Sequence, residues 1–431
     1  MLNRCLLCTC GIILWGVAAV SAEPAKPNII VILADDLGYG DLGCYGAQDI
    51  RTPHLDRMAS EGTRFTDFAM VAPLCTPSRV ALMTGRYPAR FGLAVGVLRP
   101  DAAGGLPQEA QTLADVVKTQ GYATGCIGKW HLGFRSGMRP LDQGFGSYFG
   151  VLHNLDRFET AHFESEGGMP VLRDEAVVRR PAVPAEMTGL YTEEALRFIE
   201  THRGQPFFLY LGHAMPHIPF DASPRFKGRS ARGLYGDAVA ELDWSTGQIV
   251  DRIRSLGLAE KTLVLFTSDN GPERNTPGSA GPLRGTKHTV YEGGVRVPLV
   301  AWWPGRVPAG RVCDDFLTAL DVLPTIARLT GAAPPTKLDG SDFSAVLLGE
   351  PAAQSARKTL HLLYGLNERR LEAVRVGHWK LHLASPPQLY DLNSDLGEAT
   401  NLAGRHADVV HRLEATARAI RDATLAAPPC G

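Results

Sequence analysis

Five runs of the chain are apolar at almost every position: Asn28–Ala34 (NIIVILA), Tyr122–Ile127, Phe207–Gly212 (FFLYLG), Leu263–Thr267 (LVLFT) and Val297–Trp302. Continuous rather than alternating hydrophobicity predicts strands covered on both faces, as in a parallel sheet. Between them, apolar residues recur at helical spacing over Pro53–Glu61, Thr112–Gln120, Thr192–His202 and Gly236–Leu256. This alternation predicts a doubly wound α/β fold, a mostly parallel sheet flanked by helices, with ligands held at the carboxyl ends of the strands.

The texture changes after about Ala332. Pro334, Pro335 and Pro351 punctuate the chain, Ala373–Leu383 (AVRVGHWKLHL) alternates with period two, and Ala407–Ala423 has a helical pattern. Period two predicts one half-exposed antiparallel strand. The expected division is a leader over residues 1–22, a main domain over 23–350 and a smaller C-terminal α+β subdomain with an antiparallel sheet over 351–431.

The leader has a positive Arg4, an apolar stretch from Cys5 to Val20, and small residues Val20-Ser21-Ala22 ahead of Glu23. A bilayer span needs about 20 apolar residues, and this stretch falls short of that, so it predicts export with cleavage rather than an anchor. The mature chain is expected outside the cytoplasm, periplasmic or secreted, with no stable membrane insertion.

Charge and composition narrow the classes. Across 431 residues, 44 Lys and Arg against 45 Asp and Glu leave a formal charge of −1, which argues against nucleic acid as the main partner. A 45% hydrophobic share with 21% charged residues excludes disorder. Removing the leader leaves Cys44, Cys75, Cys126, Cys313 and Cys430. An odd number in an exported protein implies a thiol kept for something other than pairing. Cys44, Cys126, Cys313 and Cys430 allow two bridges, one or none.

Asp35 and Asp36 follow the first apolar strand, and Asp269-Asn270 follows another. Alone, Asp35-Asp36 would read as a solvated turn. Two oxygen-rich strand ends in one sheet can instead converge on a hard cation, Ca²⁺ or Mg²⁺, and do not suit Zn²⁺. Cys75-Thr76-Pro77-Ser78-Arg79 precedes an apolar helical pattern ended by Gly85. Thr76 is the expected N-cap and Pro77 the first helical residue, which would set Cys75 just ahead of an anion-attracting helix terminus.

These residues resemble the formylglycine-dependent type I sulfatases of the alkaline phosphatase superfamily. Cys75 to Arg79 with Thr84-Gly85-Arg86 is similar to the family's first signature, and Gly121 to Thr124 leading to Gly128-Lys129-Trp130-His131 to its second. Ala34 to Asp41, His213 to Pro219, Thr267 to Gly271, Leu283 to Pro298 and Leu389 to Leu392 follow in the family's order. The resemblance implies that a formylglycine-generating enzyme converts Cys75 to 3-oxoalanine. It also implies that Asp35, Asp36, modified Cys75, Asp269 and Asn270 bind Ca²⁺, with Mg²⁺ as the alternative.

By the same resemblance Arg79 orients the formylglycine, Lys129 contacts it and a sulfate oxygen, and His131 is a base. His217 and Lys287 would hold sulfate and assist the leaving oxygen. The main domain would then be the catalytic domain of an arylsulfatase-like enzyme that hydrolyses aryl sulfates or sulfated carbohydrates. His213 and His217 have the spacing of a helical zinc pair, but Pro216 and Pro219 oppose a helix, so His213 is expected as a supporting residue.

Two positions depart from the family pattern. Asn154 stands where many relatives carry a sulfate-contacting serine, and His288 where relatives often have glycine. Specificity is expected in residues 153–186, 221–234 and 272–284. There, Arg225, Lys227, Arg229 and Arg232 form either a solvated loop or a subsite for further sulfates. The competing classes are a phosphonate monoester hydrolase or phosphodiesterase built on the same nucleophile, and a non-catalytic sulfoglycan-binding protein. Oligomeric state is left open by the sequence.

Overall fold

Asn28–Ala34 is a strand buried at every position, and its alternate residues serve two cores. Ile29, Val31 and Leu33 pack into one apolar cluster, and Ile30, Ile32 and Ala34 into another. Successive strand side chains point to opposite faces, so one apolar run feeds both layers. The computed structural model describes residues 26–363 and 371–425. The expected leader and Cys430 lie outside these described residues.

Among the described residues this strand belongs to a ten-stranded sheet. The order is Arg311–Cys313, Thr63–Phe65, Leu299–Trp302, Thr262–Ser268, Asn28–Ala34, Phe207–Gly212, Ala123–Gly128, Ser147–Gly150, Val171–Arg173 and Ala176–Arg179. The middle strands, from Thr262–Ser268 to Ser147–Gly150, run parallel. Helices Pro53–Ser60, Pro184–His202 and Gly233–Ser255 cover one face, and Cys75–Thr84, Leu113–Lys118 and Val322–Thr330 the other. The doubly wound, mostly parallel arrangement is the one expected.

Three elements differ from expectation. The last apolar run, Leu299–Trp302, is antiparallel to Thr262–Ser268. It is buried throughout, and an unbroken apolar run reports burial on two faces, not strand direction. Helix Pro184–His202 starts well before Thr192 and runs through Gly189.

The third is Ala373–Leu383, which is a hairpin rather than one strand. Leu371–Val376 and Trp379–His382 pair antiparallel around Gly377, whose φ of 60° suits a residue without a Cβ. With Thr359–Leu363 and Gln388–Asp391 they form a four-stranded antiparallel sheet. Its centre is buried, not half exposed. Helix Ala407–Leu425 packs Val409, Val410 and Leu413 on Val374, Leu381 and Leu389. On the other side Arg375 donates to Asp67 at 2.8 Å and Lys380 to Glu292 at 2.8 Å, so polar members of the alternation are buried as ion pairs.

Candidate active site

Parallel register brings the chemistry to one edge. Ala34 pairs with Ser268, Leu33 with Gly212, and Gly128 with Gly212, so these strands end level with one another. Asp35-Asp36, Asp269-Asn270, Lys129 to His131, and the loop from His213 to His217 therefore emerge together, as the carboxyl edge of a doubly wound sheet requires. Asp269 N donates to Ala34 O and Asp35 N to Met215 O, both at 3.1 Å, which fixes the loops to each other. At Gly128 a Cβ would stand 1.9 Å from Gly212 O; only glycine permits this approach, which sets Lys129 beside the neighbouring strand end.

Cys75 is the first residue of helix Cys75–Thr84, with extended Leu74 before it. The expected cap is therefore corrected: Thr76 lies inside the helix. Its hydroxyl donates to His131 O at 3.1 Å and accepts from Leu98 N at 3.2 Å, and the helix start has no side-chain cap. Cys75 is fully buried, with Sγ 3.5 Å from Asp35 Oδ1 and 4.0 Å from Asp36 Oδ1. Burial pushes the thiol well above its usual range, against the pull of Lys129 and Lys287.

Cations interleave with the carboxylates. Arg79 has no exposed surface; its Nε donates to Asp269 Oδ2 at 3.0 Å and its Nη1 to Lys129 O at 3.0 Å and Tyr210 OH at 3.2 Å. Lys129 Nζ pairs with Asp35 Oδ2. Lys287 Nζ lies 2.8 Å from Asp36 Oδ2, and His217 Nε2 3.6 Å from the same oxygen. Burial opposes ionisation of Asp35, but Lys129, His217, Arg79 and Lys287 together hold it well below the usual carboxylate range. Burial, reinforced by the charge of Asp35, pushes Asp269 up to about 7.

The donor set fits a hard cation. Potential ligand atoms of Asp35, Asp36, Cys75 and His217 lie within 4.8 Å of one another. Asn270 Nδ2 donates to Asp36 Oδ1 at 2.7 Å, leaving Asn270 Oδ1 buried without a hydrogen-bond partner. A buried carbonyl oxygen beside three carboxylates is an unsatisfied acceptor that a divalent cation would satisfy. Asp269 sits at the margin: Oδ1 accepts from Asp36 N at 3.2 Å and Oδ2 from Arg79.

Beside this cluster opens a cleft of about 370 Å³ lined by Cys75, Arg99, Asn154, His217, Lys287 and His288, among others. His288 has φ 70°, a backbone setting natural to glycine, and stands 3.5 Å from Glu273. Of the expected specificity segments, residues 153–186 and 272–284 reach the cleft, and 221–234 does not. Of the basic cluster, Arg225, Lys227 and Arg229 are exposed, as a solvated loop requires; Lys227 pairs with Asp221 at 2.8 Å, Arg225 packs on Trp244, and half-buried Arg232 pairs with Asp41 and Asp49.

His131 is buried; its Nε2 lies 3.0 Å from Leu98 O and 3.4 Å from Glu159 Oε1. Burial lowers it to about 4, outweighing the pull of Glu159. His213 is separated from His217 in role: it is buried against Ser245 Oγ at 3.4 Å and lowered by burial to about 3. Sequence reasoning missed Glu159, Glu273, Tyr210 and the Gly96–Arg99 loop. None belongs to a recognised motif, and a carboxylate five residues beyond Asn154 was the available hint for Glu159. Among the described residues Cys44, Cys126 and Cys313 are unpaired thiols, and no helix is long and apolar enough to cross a membrane.

A family profile described as Sulfatase matches residues 27–332, and one described as N-sulphoglucosamine sulphohydrolase, C-terminal, matches residues 286–423. The chain is 40% identical to human (Homo sapiens) arylsulfatase A, covering 91% of this chain and 86% of that protein. It is 39% identical to the N-acetylgalactosamine-6-sulfatase of Canis lupus familiaris, covering 85% and 73%. Among solved structures, Ps i-CgsB in complex with k-i-k-neocarrahexaose superposes with a TM-score of 0.82 at 29% identity, covering 94% of each chain. The phosphonate monoester hydrolase SpPMH from Silicibacter pomeroyi shares the fold, with a TM-score of 0.68 at 20% identity over 93% of this chain and 96% of that one.

Proposed function

The chain belongs to the sulfatase family and is a hydrolase of sulfate esters, and from that premise we propose that it is an exported enzyme acting through formylglycine derived from Cys75 and a bound divalent cation. The observation that carries this reading is the position of Cys75: buried at a helix start, 3.5 Å from Asp35, facing a cleft shared with His217 and Lys287. A formylglycine-generating enzyme is its maturation partner, and the division near residue 350 separates the catalytic domain from the C-terminal subdomain.

Asp35, Asp36, Asp269, Asn270 and modified Cys75 would hold Ca²⁺, with Mg²⁺ the alternative; a bound divalent ion supplies Lewis-acid stabilisation of developing negative charge. 3-Oxoalanine at position 75, as its hydrate, would supply a hydroxyl nucleophile toward sulfur, with the phenol or sugar oxygen as the leaving group, and a second hydroxyl on the same carbon through which sulfate could be released.

The chain's own groups do the rest. Lys129 and Lys287, kept cationic by Asp35 and Asp36, set positive charge where the sulfate group must sit. Arg79, locked on Asp269, orients the Cys75 side chain. His131, neutral because it is buried, can take a proton. His217 Nδ1 is engaged by Ile218 O at 2.6 Å, so that nitrogen carries the proton and Nε2 faces Asp36.

Relatives named for aryl and galactosamine sulfates support an ester of a phenol or a sugar as substrate. The test is desulfation of a panel of sulfated mono- and disaccharides alongside an aryl sulfate and an aryl phosphonate monoester. Faster turnover of a sulfate ester is expected; faster turnover of the phosphonate ester would overturn the reading.

A further inference from the structure

Phe158 lines the cleft yet leaves 75% of its surface exposed, and Ile218, also lining it, leaves 37%. Single exposed apolar side chains are ordinary; two on the rim of one polar cleft mark a contact surface. The ring is also held in place. Phe158 stands on the short helix Arg157–Thr160, whose cap Asp156 accepts from Phe158 N at 2.8 Å. One residue on, Glu159 is buried and accepts from Asn154 N at 2.9 Å and Asn154 Nδ2 at 3.1 Å. The turn is thus anchored from below while its aromatic ring stays in solvent.

Arg99 reaches the same rim from another segment. It too lines the cleft, and its guanidinium carbon lies 5.9 Å from the centre of the Phe158 ring, within reach of a cation–π contact. The backbone beside it is tied to the catalytic elements. Leu98 N donates to Thr76 Oγ1 at 3.2 Å, Leu98 O lies 3.0 Å from His131 Nε2, and Arg99 O accepts from Ala102 N at 2.8 Å.

The cations of the cleft are of two kinds. Lys287 is held by Asp36 at 2.8 Å and by Glu273 at 3.4 Å, and His217 and His288 face the same two carboxylates at 3.6 Å and 3.5 Å. Arg99 is exposed, and among the described residues its guanidinium has neither a carboxylate partner nor a hydrogen bond. A guanidinium offers a planar fork that matches the oxygens of a carboxylate or sulfate. At about 370 Å³ the cleft is of ligand size, larger than the transferred sulfate group requires. Cys75 and Lys287 are buried at its inner end and Arg99 and Phe158 exposed at its outer end, so the phenol or sugar that bears the ester lies between them.

We propose that Arg99 and Phe158 form an outer subsite for a second anionic group, so that the enzyme prefers sulfate esters whose phenol or sugar carries a further sulfate or carboxylate. Phe158 covers the ring by apolar contact, and Arg99 pairs with the oxyanion. The inference rests on the sulfatase reading above and deepens it to a substrate class.

The test uses the matured full chain with para-nitrophenyl sulfate and with aryl sulfates bearing a second charge: meta- and para-carboxyphenyl sulfate, and meta- and para-phenylene disulfate. Each variant is compared with wild type on the same probe, which cancels differences in leaving group. Arg99→Ala should lower kcat/KM for at least one doubly charged probe about five- to twentyfold more than for para-nitrophenyl sulfate, the value of a charge-assisted bond weakened by exposure. The excess should lie in KM and shrink as salt is raised. Arg99→Lys, which keeps the charge without the fork, should recover part of the preference. Phe158→Ala should raise KM about three- to tenfold for charged and uncharged rings alike. An excess confined to the disulfates would identify a second sulfate as the recognised group, and one confined to the carboxylates an acidic sugar or phenol.

An Arg99→Ala variant that loses the same factor on every probe would overturn the inference and make Arg99 a solvated rim residue. So would a wild type that cleaves para-nitrophenyl sulfate but rejects every doubly charged probe. An unchanged KM in Phe158→Ala would overturn the role given to the ring. All three results leave the sulfatase reading intact. A matured wild type that cleaves no sulfate ester would overturn both.

Discussion

Lys287 Nζ stands 2.8 Å from Asp36 Oδ2, joining the loop after Pro272 to the turn after the central strand. Burial opposes the charge on Lys287, yet Asp36 holds it cationic well above the usual lysine range. One side chain thus faces a would-be metal ligand and the cleft at once, so cation binding and substrate binding share an electrostatic element.

Lys287→Ala should therefore lower kcat/KM for an aryl sulfate by about a hundred- to thousandfold, the usual cost of removing one charge-stabilising donor. Steady-state kinetics check this; a loss under threefold would show that Lys287 only balances Asp36.

Chelation tests the cation. Removing divalent ions with EDTA should abolish activity and lower the melting temperature, because the folded state would lose the stabilisation of a bound ion and Asn270 Oδ1 would have no partner. Ca²⁺ or Mg²⁺ should restore both, and Asp35→Asn should blunt the thermal response. Full activity and an unaltered melting curve in chelator would contradict the assignment.

The acid limb of activity should belong to His131. Burial lowers it to about 4, so above about pH 5 the ring is neutral and able to accept a proton, and kcat should fall as pH drops through about 4. A kcat profile of wild type beside His131→Ala checks the sign: the limb should vanish in the variant. A wild-type limb centred above pH 6 would mean that another group controls it.

The C-terminal sheet is joined to the main domain by buried charge. Lys380, fully buried, donates to Glu292 Oε1 at 2.8 Å and lies 3.2 Å from Glu398 Oε1. Burial opposes ionisation of Glu292, but Lys380, Arg375 and Arg296 hold it below its ordinary 4.5. Its contribution to stability is thus full above about pH 4.5 and lost as pH falls below that. Lys380→Met should cost about 3–5 kcal/mol in urea unfolding at pH 7, because it strands buried carboxylates. A cost under about 1 kcal/mol would mean that the Lys380 pairs add little to the joint between subdomain and main domain.

What the sequence disclosed follows from what apolar patterning records. Asn28–Ala34 and Phe207–Gly212 are legible residue for residue because both faces of each strand are covered. The same patterning is blind to direction, hence Leu299–Trp302, and to a turn that keeps the period, hence the hairpin at Gly377. In the site, residues at strand ends and in the Cys75 signature are legible because chemistry and backbone demand coincide there. Glu159 is not: its contacts with Asn154 and His131 are closed by folding, from a four-residue helix with no pattern of its own. Thr76 was misread because a capping preference is local, whereas its hydroxyl is claimed by His131 and Leu98 from distant segments.

On the proposed function, Cys75 is converted to 3-oxoalanine in the working enzyme. Mass spectrometry of the Cys75 peptide, from protein made alongside a formylglycine-generating enzyme, tests it most directly. A mass about 18 Da below that of the thiol peptide is expected, the exchange of H₂S for an oxygen, with activity proportional to the converted fraction. A fully active preparation whose Cys75 peptide keeps the thiol mass would contradict it.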